Sequence, residues 1–221
     1  MPHPDWQTLT VFEEGFWRQG LVVAGTDEVG RGPLAGPVVA AAVVLSRGAM
    51  IAGLDDSKRL TEMERQRLFY EVWHQAEAIG IGAVGPQTID RLNILEASRL
   101  AMQRALAHLP VIPEVVLADA MRLTEGPYYT VSLIKGDQRS ASIAAASVIA
   151  KVLRDRYMVE LHREFPEYGF DRHKGYPTKA HRDALDARGP SAAHRLTFLR
   201  RRGVSVRGDG QAVPGAAHGF D

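Results

Sequence analysis

The most informative absence in this 221-residue sequence is that of cysteine, which excludes a disulfide framework and any metal site built from thiolates. A metal ion would need carboxylate or imidazole ligands, and carboxylates favour hard cations such as Mg²⁺ or Mn²⁺. The sequence also lacks an apolar run of about eighteen residues and an N-terminal basic segment followed by an apolar one. We therefore expect a cytoplasmic protein that has no contact with membranes.

Net charge is also small, +1 at pH 7, but its distribution is uneven. Residues 151–207 contain 14 Lys or Arg against 7 Asp or Glu, whereas the rest of the chain contains 13 against 19. This asymmetry indicates either a surface that faces a polyanion near an acidic site or a solvated helical face. Charge alone does not choose between the two.

The order of the apolar stretches predicts an α/β domain with a mixed sheet. Strand candidates are residues 21–26, 38–45, 78–84, 114–118 and 128–134, and helix candidates are residues 62–75, 93–108 and 140–164. Thr61 and Glu64 have the spacing of a capping box at the start of the first helix. We expect a lead-in over 1–20, one catalytic domain over 21–202 that ends in a short helical segment from about 177, and a disordered tail over 203–221.

Four carboxylates stand at or just past the ends of apolar stretches, namely Asp27, Glu28, Asp119 and Asp137. If their strands are neighbours, all four reach one edge of the sheet, where repulsion and desolvation would push protons onto them. Two divalent cations would resolve that conflict, and such a pair can hydrolyse a phosphodiester. Adjacent strand residues point to opposite faces, so Asp27 and Glu28 would share a ligand only if the strand breaks at Glu28, and the glycines at 30 and 32 lead us to expect that break. Acids at strand ends are also common turn residues, and the pattern alone leaves both interpretations open.

A glycine-rich stretch, G-R-G-P-L-A-G at residues 30–36, begins two residues after Glu28. It lacks the G-x-G-x-x-G spacing, and Pro37 with Val38 opens a strand instead of a helix, which excludes a dinucleotide-binding loop. The glycines at 30 and 32 allow backbone groups to approach a ligand closely, while Arg31 supplies positive charge.

Five stretches closely resemble the ribonuclease HII family, the type 2 ribonucleases H. They are AGTDEVGRGPLAGPVVAAAVVL at 24–45, DSKRL at 56–60, LNILEASRLAM at 92–102, KGDQRSASIAAASVIAKVLRD at 135–155 and HKGYPTKAHRDAL at 173–185. The resemblance implies a ribonuclease H-like fold, in which a mixed five-stranded sheet is flanked by helices and followed by a small C-terminal helical segment. It also implies an endonuclease.

The metal site implied by the resemblance holds two divalent ions, Mg²⁺ or Mn²⁺. Its ligands in this sequence are Asp27, Glu28, Asp119 and Asp137. The family usually has Asp-Gly where this chain has Asp119-Ala120, so the turn after that strand must accept a Cβ atom. Asp155 either approaches the metals, as the resemblance suggests, or forms an ordinary ion pair on the helix surface.

The substrate contacts implied by the resemblance are Gly30, Arg31, Gly32 and the tyrosine of K-G-Y-P-T, Tyr176. They resemble the elements that read the junction between a ribonucleotide and the following deoxynucleotide, where the 2′-hydroxyl distinguishes RNA from DNA. We expect the Tyr176 ring to stack on a sugar. Weaker candidates for contacts with phosphate are Lys58, Ser140, Ser142, Lys151, His173 and Lys174.

The function implied by the resemblance is hydrolysis of the RNA strand of RNA/DNA hybrids and cleavage 5′ to single ribonucleotides in duplex DNA, leaving 3′-hydroxyl and 5′-phosphate ends. Its partners would be these two nucleic acids, and we expect a monomer that acts in ribonucleotide excision repair and RNA primer removal. Two alternatives are a non-catalytic nucleic-acid binder and another nuclease or transposase of the same fold. The four acids disfavour the first alternative, and the G-R-G and K-G-Y-P-T elements disfavour the second.

Overall fold

The computed structural model of the protein describes residues 4–201, and the tail predicted over 203–221 lies outside them. The described chain divides into two compact units. Unit 1 comprises residues 4–29, 39–83 and 99–152, and unit 2 comprises residues 30–38, 84–98 and 153–201. The described part of the predicted lead-in, residues 4–20, is grouped with unit 1.

Five strands and nine α-helices follow one another along residues 4–201. The strands are β1 (Val23–Val29), β2 (Val38–Leu45), β3 (Ala76–Val84), β4 (Val115–Asp119) and β5 (Tyr129–Leu133). The helices are α1 (Trp6–Leu9), α2 (Val11–Trp17), α3 (Glu62–Gln75), α4 (Pro86–Leu92), α5 (Ile94–Ala107), α6 (Ala141–Glu164), α7 (Phe170–His173), α8 (Lys179–Arg188) and α9 (Leu196–Arg201). None of these helices combines the length and the hydropathy that are needed to cross a lipid bilayer.

The strands form one mixed sheet in the order β3-β2-β1-β4-β5, which confirms the predicted fold class. The central strand β1 pairs with β2 in antiparallel fashion and with β4 in parallel fashion, and β4 pairs with β5 in parallel fashion. The prediction that the first strand breaks at Glu28 is wrong. Asp27 and Glu28 pair with Ala41 and Ala40 of β2, so the ladder holds β1 extended through the acidic pair.

Small residues let helices approach the sheet in unit 1. A Cβ atom on Gly25 of β1 would lie 2.1 Å from the backbone carbon of Ser142 in α6, so only glycine fits there. On β3, a Cβ atom at Gly80 or Gly82 would collide with α5 backbone oxygens at 2.0 and 2.1 Å. These glycines weaken the strand pattern in the sequence, yet they are required for the packing of the helix on the strand.

Helix boundaries follow local capping rules. The predicted capping box of α3 is confirmed, because the Thr61 hydroxyl accepts from the Glu64 N–H and the Glu64 carboxylate accepts from the Thr61 N–H. Helix α4 was not predicted. Asn93 separates it from α5, with a left-handed φ of 80° and a side-chain oxygen that accepts from the N–H groups of Leu95 and Glu96.

Unit 2 has its own apolar core, which includes residues from the second half of α6, from α8 and α9, and from the segment after Gly32. Its buried members are Leu34, Ala35, Met158, Leu161, Phe165, Tyr168, Phe170, Leu185, Ala193 and Leu199. The core fixes the K-G-Y-P-T loop, because the Leu34 N–H donates to the Gly175 carbonyl at 2.8 Å.

Candidate active site

Two predicted acids lie at the carboxyl ends of neighbouring parallel strands of unit 1. β1 and β4 pair up to the residues before Asp27 and Asp119, so these two acids come next at the same edge of the sheet. The Gly136 N–H donates to the Asp119 carboxylate at 2.7 Å, which fixes the start of the 3₁₀ helix Gly136–Gln138 that carries Asp137. The fold therefore brings Asp27, Asp119 and Asp137 together.

Burial and mutual repulsion raise the pKa of two of these carboxyl groups. Desolvation is the main reason that the pKa of Asp27 lies well above its usual value, and the negative charges of Glu28, Asp119 and Asp137 raise it further. The pKa of Asp137 rises to about 7, first because of burial and then because of the neighbouring acids Asp56 and Asp119. The protein alone therefore compensates the negative charge of this cluster only in part.

Glu28 is half-buried and follows Asp27 in the same strand. Because β1 continues to Val29, the side chains of residues 27 and 28 leave opposite faces of the sheet. The Glu28 N–H donates to the Asp27 carboxylate at 2.8 Å, and the Glu28 charge raises the pKa of Asp27. Glu28 thus influences the cluster electrostatically.

The donor chemistry of the cluster fits hard divalent cations. Every acidic donor is a carboxylate, the ligand type that Mg²⁺ and Mn²⁺ prefer, and a cation would remove the repulsion that raises the pKa values. Within residues 4–201, no three His, Asp or Glu side chains already stand as a set of metal ligands. Metal binding would therefore require these side chains to turn toward a common point.

Two further residues of the cluster were not assigned to it from the sequence. Asp56 is 8% exposed and raises the pKa of Asp137. Ser147, on α6, forms a hydrogen bond that lowers the pKa of Asp27, opposing the effect of burial. The signal for Asp56 is its place in D-S-K-R-L, whereas Ser147 is hidden in a helix of small residues.

Lys58, predicted to contact phosphate, lies beside the acids. Burial by itself would lower the pKa of Lys58, but the acids around it raise that pKa; they are Asp56, Asp27, Asp137 and Asp119. In turn, the Lys58 charge lowers the pKa of Asp137 against the effect of burial. Lys58 therefore belongs electrostatically to the acidic cluster, where it offsets part of the negative charge.

The turn after β4 retains the conformation that glycine usually supplies. Ala120 has a left-handed φ of 47°, which costs a residue with a Cβ atom about 1–2 kcal/mol. Its N–H donates to the Leu133 carbonyl at 2.9 Å, which holds the turn in place. The alanine therefore adds strain directly after Asp119.

The phosphate contacts predicted for Ser140 and Ser142 do not fit the structure. Both residues are 0% exposed, and both hydroxyls donate to the carboxylate of Glu13 on α2, at 2.5 and 2.6 Å. The Ser142 N–H donates to the same oxygen at 2.9 Å. These serines connect the lead-in to the first turn of α6, and Glu13 is a buried acid that the sequence did not indicate.

Gly30 and Gly32 both lie in unit 2, but the structure requires glycine only at the first of these positions. Gly30 has a φ of 94°, and a Cβ atom there would lie 2.3 Å from the Nε atom of Arg154. Gly32 has no such φ, and the nearest atom to a Cβ there would be Cε1 of Tyr176 at 3.9 Å, an ordinary contact. Within the described residues, internal packing thus accounts for Gly30 but not for Gly32.

Two histidines support the K-G-Y-P-T loop in one defined protonation pattern. His194 Nδ1 accepts from the Ser191 N–H at 3.0 Å, so in a neutral ring Nε2 carries the proton. That proton is donated to His181 Nε2 at 3.0 Å, and His181 Nδ1–H therefore donates to the Tyr176 carbonyl at 3.0 Å. His181 and His194 form a neutral relay that ends on the backbone of Tyr176.

Burial lowers the pKa of His181 to about 4 and that of His194 to about 3. Because the unfolded chain takes up these protons near pH 6.5, each histidine stabilises the fold fully above that pH, and this stability is lost as the pH falls toward the folded-state pKa. We expect the double variant His181→Asn/His194→Asn, measured by urea unfolding from pH 7 to 4, to lose this dependence, about 1.4 kcal/mol per pH unit for each histidine. All other titrating groups are the same in the variant and in the wild-type protein. Parallel curves of unfolding free energy against pH for the two proteins would therefore contradict the relay.

The remaining predicted contacts have internal partners or partly buried positions. His173 accepts from the Gly175 N–H and donates to the Tyr168 carbonyl, so both ring nitrogens have partners within the loop, and its contact with phosphate stays a prediction. The Lys174 ammonium donates to the Asp171 carbonyl. Lys151 and Asp155 are half-buried on α6, the first in unit 1 and the second in unit 2.

Comparison with known proteins agrees with the observed fold. The family model described as Ribonuclease HII matches residues 24–201. The chain belongs to the ribonuclease HII family. Proteins named Ribonuclease HII from Bacillus anthracis and Bacillus cereus (strain Q1) are 50% and 51% identical over 191 residues, which cover 86% of this chain and 74% of each relative. As a member of the ribonuclease HII family the protein is an endoribonuclease, a hydrolase with ribonuclease H activity on RNA/DNA.

A solved structure extends the agreement to the arrangement of the backbone. Ribonuclease H2 from Pyrococcus horikoshii OT3 superposes with a TM-score of 0.69 at 27% identity, covering 82% of this chain and 96% of that one. The ribonuclease HII fold predicted from the sequence motifs is confirmed.

Proposed function

We propose that the protein cleaves the RNA strand of RNA/DNA hybrids and also cuts 5′ to a single ribonucleotide embedded in duplex DNA, leaving 3′-hydroxyl and 5′-phosphate ends. The observation that carries the proposal is the carboxylate cluster of unit 1, in which burial and repulsion raise the pKa values of Asp27 and Asp137. Ionising acids whose pKa values are raised in this way is unfavourable, and bound divalent cations would offset that cost.

Two divalent ions, Mg²⁺ or Mn²⁺, would be held by Asp27, Asp119 and Asp137, and by Glu28 once its side chain turns from the opposite face of β1 toward the other three acids. When bound, such a pair activates a water molecule and stabilises the leaving oxygen of a phosphodiester. The protein prepares its ligands by hydrogen bonds. Ser147 and the Glu28 N–H fix the Asp27 carboxylate, and the Gly136 N–H fixes that of Asp119.

Recognition of the ribonucleotide is assigned to the turn of Gly30, Arg31 and Gly32 and to Tyr176. Arg31 and Gly32 are exposed, and the missing side chain of Gly32 is explained if a ligand approaches its backbone closely. Tyr176 is 39% exposed, while its backbone carbonyl is held by the histidine relay. An exposed ring on a fixed backbone is suited to stacking on a sugar.

The setting that we propose is the cytoplasm, where a monomer would act in ribonucleotide excision repair and RNA primer removal. The basic excess of residues 151–207, 14 Lys or Arg against 7 Asp or Glu, supports contact with a polyanion. Every described residue of this range from 153 onward belongs to unit 2, which also carries Tyr176.

A single cleavage assay tests the proposal. Duplex DNA with one embedded ribonucleotide should be cut in Mg²⁺ or Mn²⁺ at the 5′ side of that nucleotide, and an all-DNA duplex of the same sequence should remain intact. A long RNA/DNA hybrid is the second substrate, and excess chelator should stop both reactions. Cleavage of the all-DNA control, or full activity in chelator, would contradict the proposal.

A further inference from the structure

Two arginines of unit 2 are completely buried, although arginine is among the residues least often found in protein interiors. Arg154 lies on α6 and Arg195 precedes α9, and both are 0% exposed. Among the residues that the structure describes, neither forms an ion pair with Asp or Glu. A buried guanidinium group without a carboxylate is costly, so the groups that it binds indicate why it is present.

Arg195 binds the glycine-rich turn through backbone carbonyls alone. Its Nη2 donates to the Gly30 carbonyl at 2.6 Å, and its Nη1 donates to the Arg31 carbonyl at 3.1 Å. Both Nε and Nη2 donate to the Gly36 carbonyl, at 3.0 and 2.8 Å. One guanidinium group therefore connects the beginning and the end of the turn.

Arg154 continues the same arrangement and extends it to the K-G-Y-P-T loop. It donates to the carbonyls of Ala35, Pro37 and Lys174 at 3.2, 3.0 and 3.1 Å. Its guanidinium carbon lies 5.9 Å from the centre of the Tyr176 ring. The two arginines thus hold both elements to which ribonucleotide recognition is assigned.

Inward carbonyls fix the direction of the neighbouring N–H groups. In a trans peptide the C=O and N–H bonds point in opposite directions. Because the carbonyls of Gly30 and Arg31 point to Arg195, the N–H groups of Arg31 and Gly32 point away from it. Both residues are exposed, so these N–H groups face the side that a ligand approaches.

The charge of the two arginines is only partly compensated. Burial, followed by the neighbouring charge of Arg154, lowers the pKa of Arg195 to about 9, and Asp90 and Tyr176 offset this only in part. The Asp90 carboxylate accepts from the N–H groups of Leu196 and Thr197 at 2.8 and 3.0 Å. Two like charges behind one turn create a positive potential that favours an anion in front of it.

We infer that Arg154 and Arg195 are positioning residues for ribonucleotide recognition: they hold the carbonyls of residues 30–37 inward, direct the N–H groups of Arg31 and Gly32 toward the substrate, and supply the positive charge that attracts the phosphate beside the ribose. The inference rests on the proposed role of the Gly30–Gly32 turn. It assigns a function to two side chains that touch no substrate atom.

Arg195→Lys and Arg154→Lys test the inference, because lysine retains the charge but cannot bind several carbonyls as a planar fork. The kcat/KM for a single embedded ribonucleotide should fall about 10- to 100-fold, mainly through KM, and by much less for a long hybrid. Arg104→Lys is the matched control, since Arg104 also donates to a carbonyl, that of Ala83, at 2.7 Å in unit 1. General destabilisation would lower kcat on both substrates equally, whereas loss of positioning changes their ratio.

The outcomes separate this inference from the proposed function. If the wild-type protein does not cut an embedded ribonucleotide, both fail. If it does and folded lysine variants retain the wild-type ratio, only the role of the arginines is overturned. If the variants do not fold, the inference is tested on the wild-type protein in chelator by NMR spectroscopy. The amide signals of Arg31 and Gly32 should shift more with a ribonucleotide-containing duplex than with an all-DNA duplex. Equal shifts would overturn the inference.

Discussion

Asp27→Asn and Asp137→Asn are each expected to lower cleavage by about a thousandfold or more while leaving the fold intact. Each substitution replaces a carboxylate by an amide of the same shape and so removes one unit of negative charge from the proposed metal site. Calorimetric titration with Mg²⁺ should show weaker binding by both variants, which separates loss of the metal from loss of the substrate. Near-full activity of either variant in Mg²⁺ would disprove the assignment of the site.

The same variants should melt at a higher temperature than the wild-type protein when no metal is present. Because the folded-state pKa of Asp137 is raised from 3.8 to about 7, its contribution to stability is complete only below pH 3.8 and is lost as the pH rises through about 7. At pH 8 the ionised carboxylate therefore destabilises the fold, and asparagine does not. Each kcal/mol recovered corresponds to about 2–4 °C in Tm for a chain of this size.

A control variant distinguishes this effect from a general benefit of removing acids. Asp186 is exposed on α8, so Asp186→Asn should change neither activity nor Tm appreciably. Saturating Mg²⁺ should remove the advantage of Asp137→Asn, because the bound cation compensates the wild-type carboxylates. An advantage that persists unchanged in Mg²⁺ would show that repulsion within the cluster is not its cause.

The acidic edge of the sheet could be predicted because its signal is local. Apolar stretches that end in acids are visible in the sequence, and parallel pairing of β1 with β4 brings Asp27 and Asp119 to one edge. The end of β1 could not be predicted in the same way. Glycines at 30 and 32 suggested an early break at Glu28, but pairing with β2 as far as Val29 keeps the strand extended.

Buried polar partners were missed because they are distant in sequence. Glu13 binds serines about 130 residues away, and Arg195 binds carbonyls about 160 residues away. Arg154 stands in the triplet R-D-R and has the local appearance of a surface residue of a helix. Only the tertiary structure shows that it is buried among carbonyls, since periodicity describes one element at a time.

For Ser140 and Ser142 the sequence predicted an external contact where the structure shows an internal one. A polar residue in a family motif suggested contact with substrate, yet their hydroxyls are used inside the protein by Glu13. Gly32 is the contrasting example, because internal packing does not account for its missing side chain. The structure thus distinguishes motif residues that stabilise the fold, such as Ser140 and Ser142, from a motif residue such as Gly32, whose missing side chain internal packing does not explain.

Tyr176→Ala is expected to reduce kcat/KM on a single embedded ribonucleotide about 5- to 100-fold, whereas Tyr176→Phe should stay within about threefold of the wild-type protein. The proposed contact is a ring stacked on the deoxyribose that follows the ribonucleotide, and stacking requires the ring but not the hydroxyl. Tyr176 is 39% exposed, so it is available for this contact, and its backbone carbonyl is held by His181 at 3.0 Å. Because the backbone bonds do not involve the ring, neither variant should disturb the loop.

Both variants should be measured on an embedded ribonucleotide and on a long RNA/DNA hybrid. A hybrid presents a 2′-hydroxyl at the position after the cleaved ribonucleotide, where it would crowd a stacked ring, so loss of the ring should harm cleavage of the hybrid less. Equal melting temperatures for the two variants would exclude a folding defect as the cause of any difference between them. If Ala and Phe behave alike, or if the hybrid suffers more than the single ribonucleotide, Tyr176 does not read the junction by stacking.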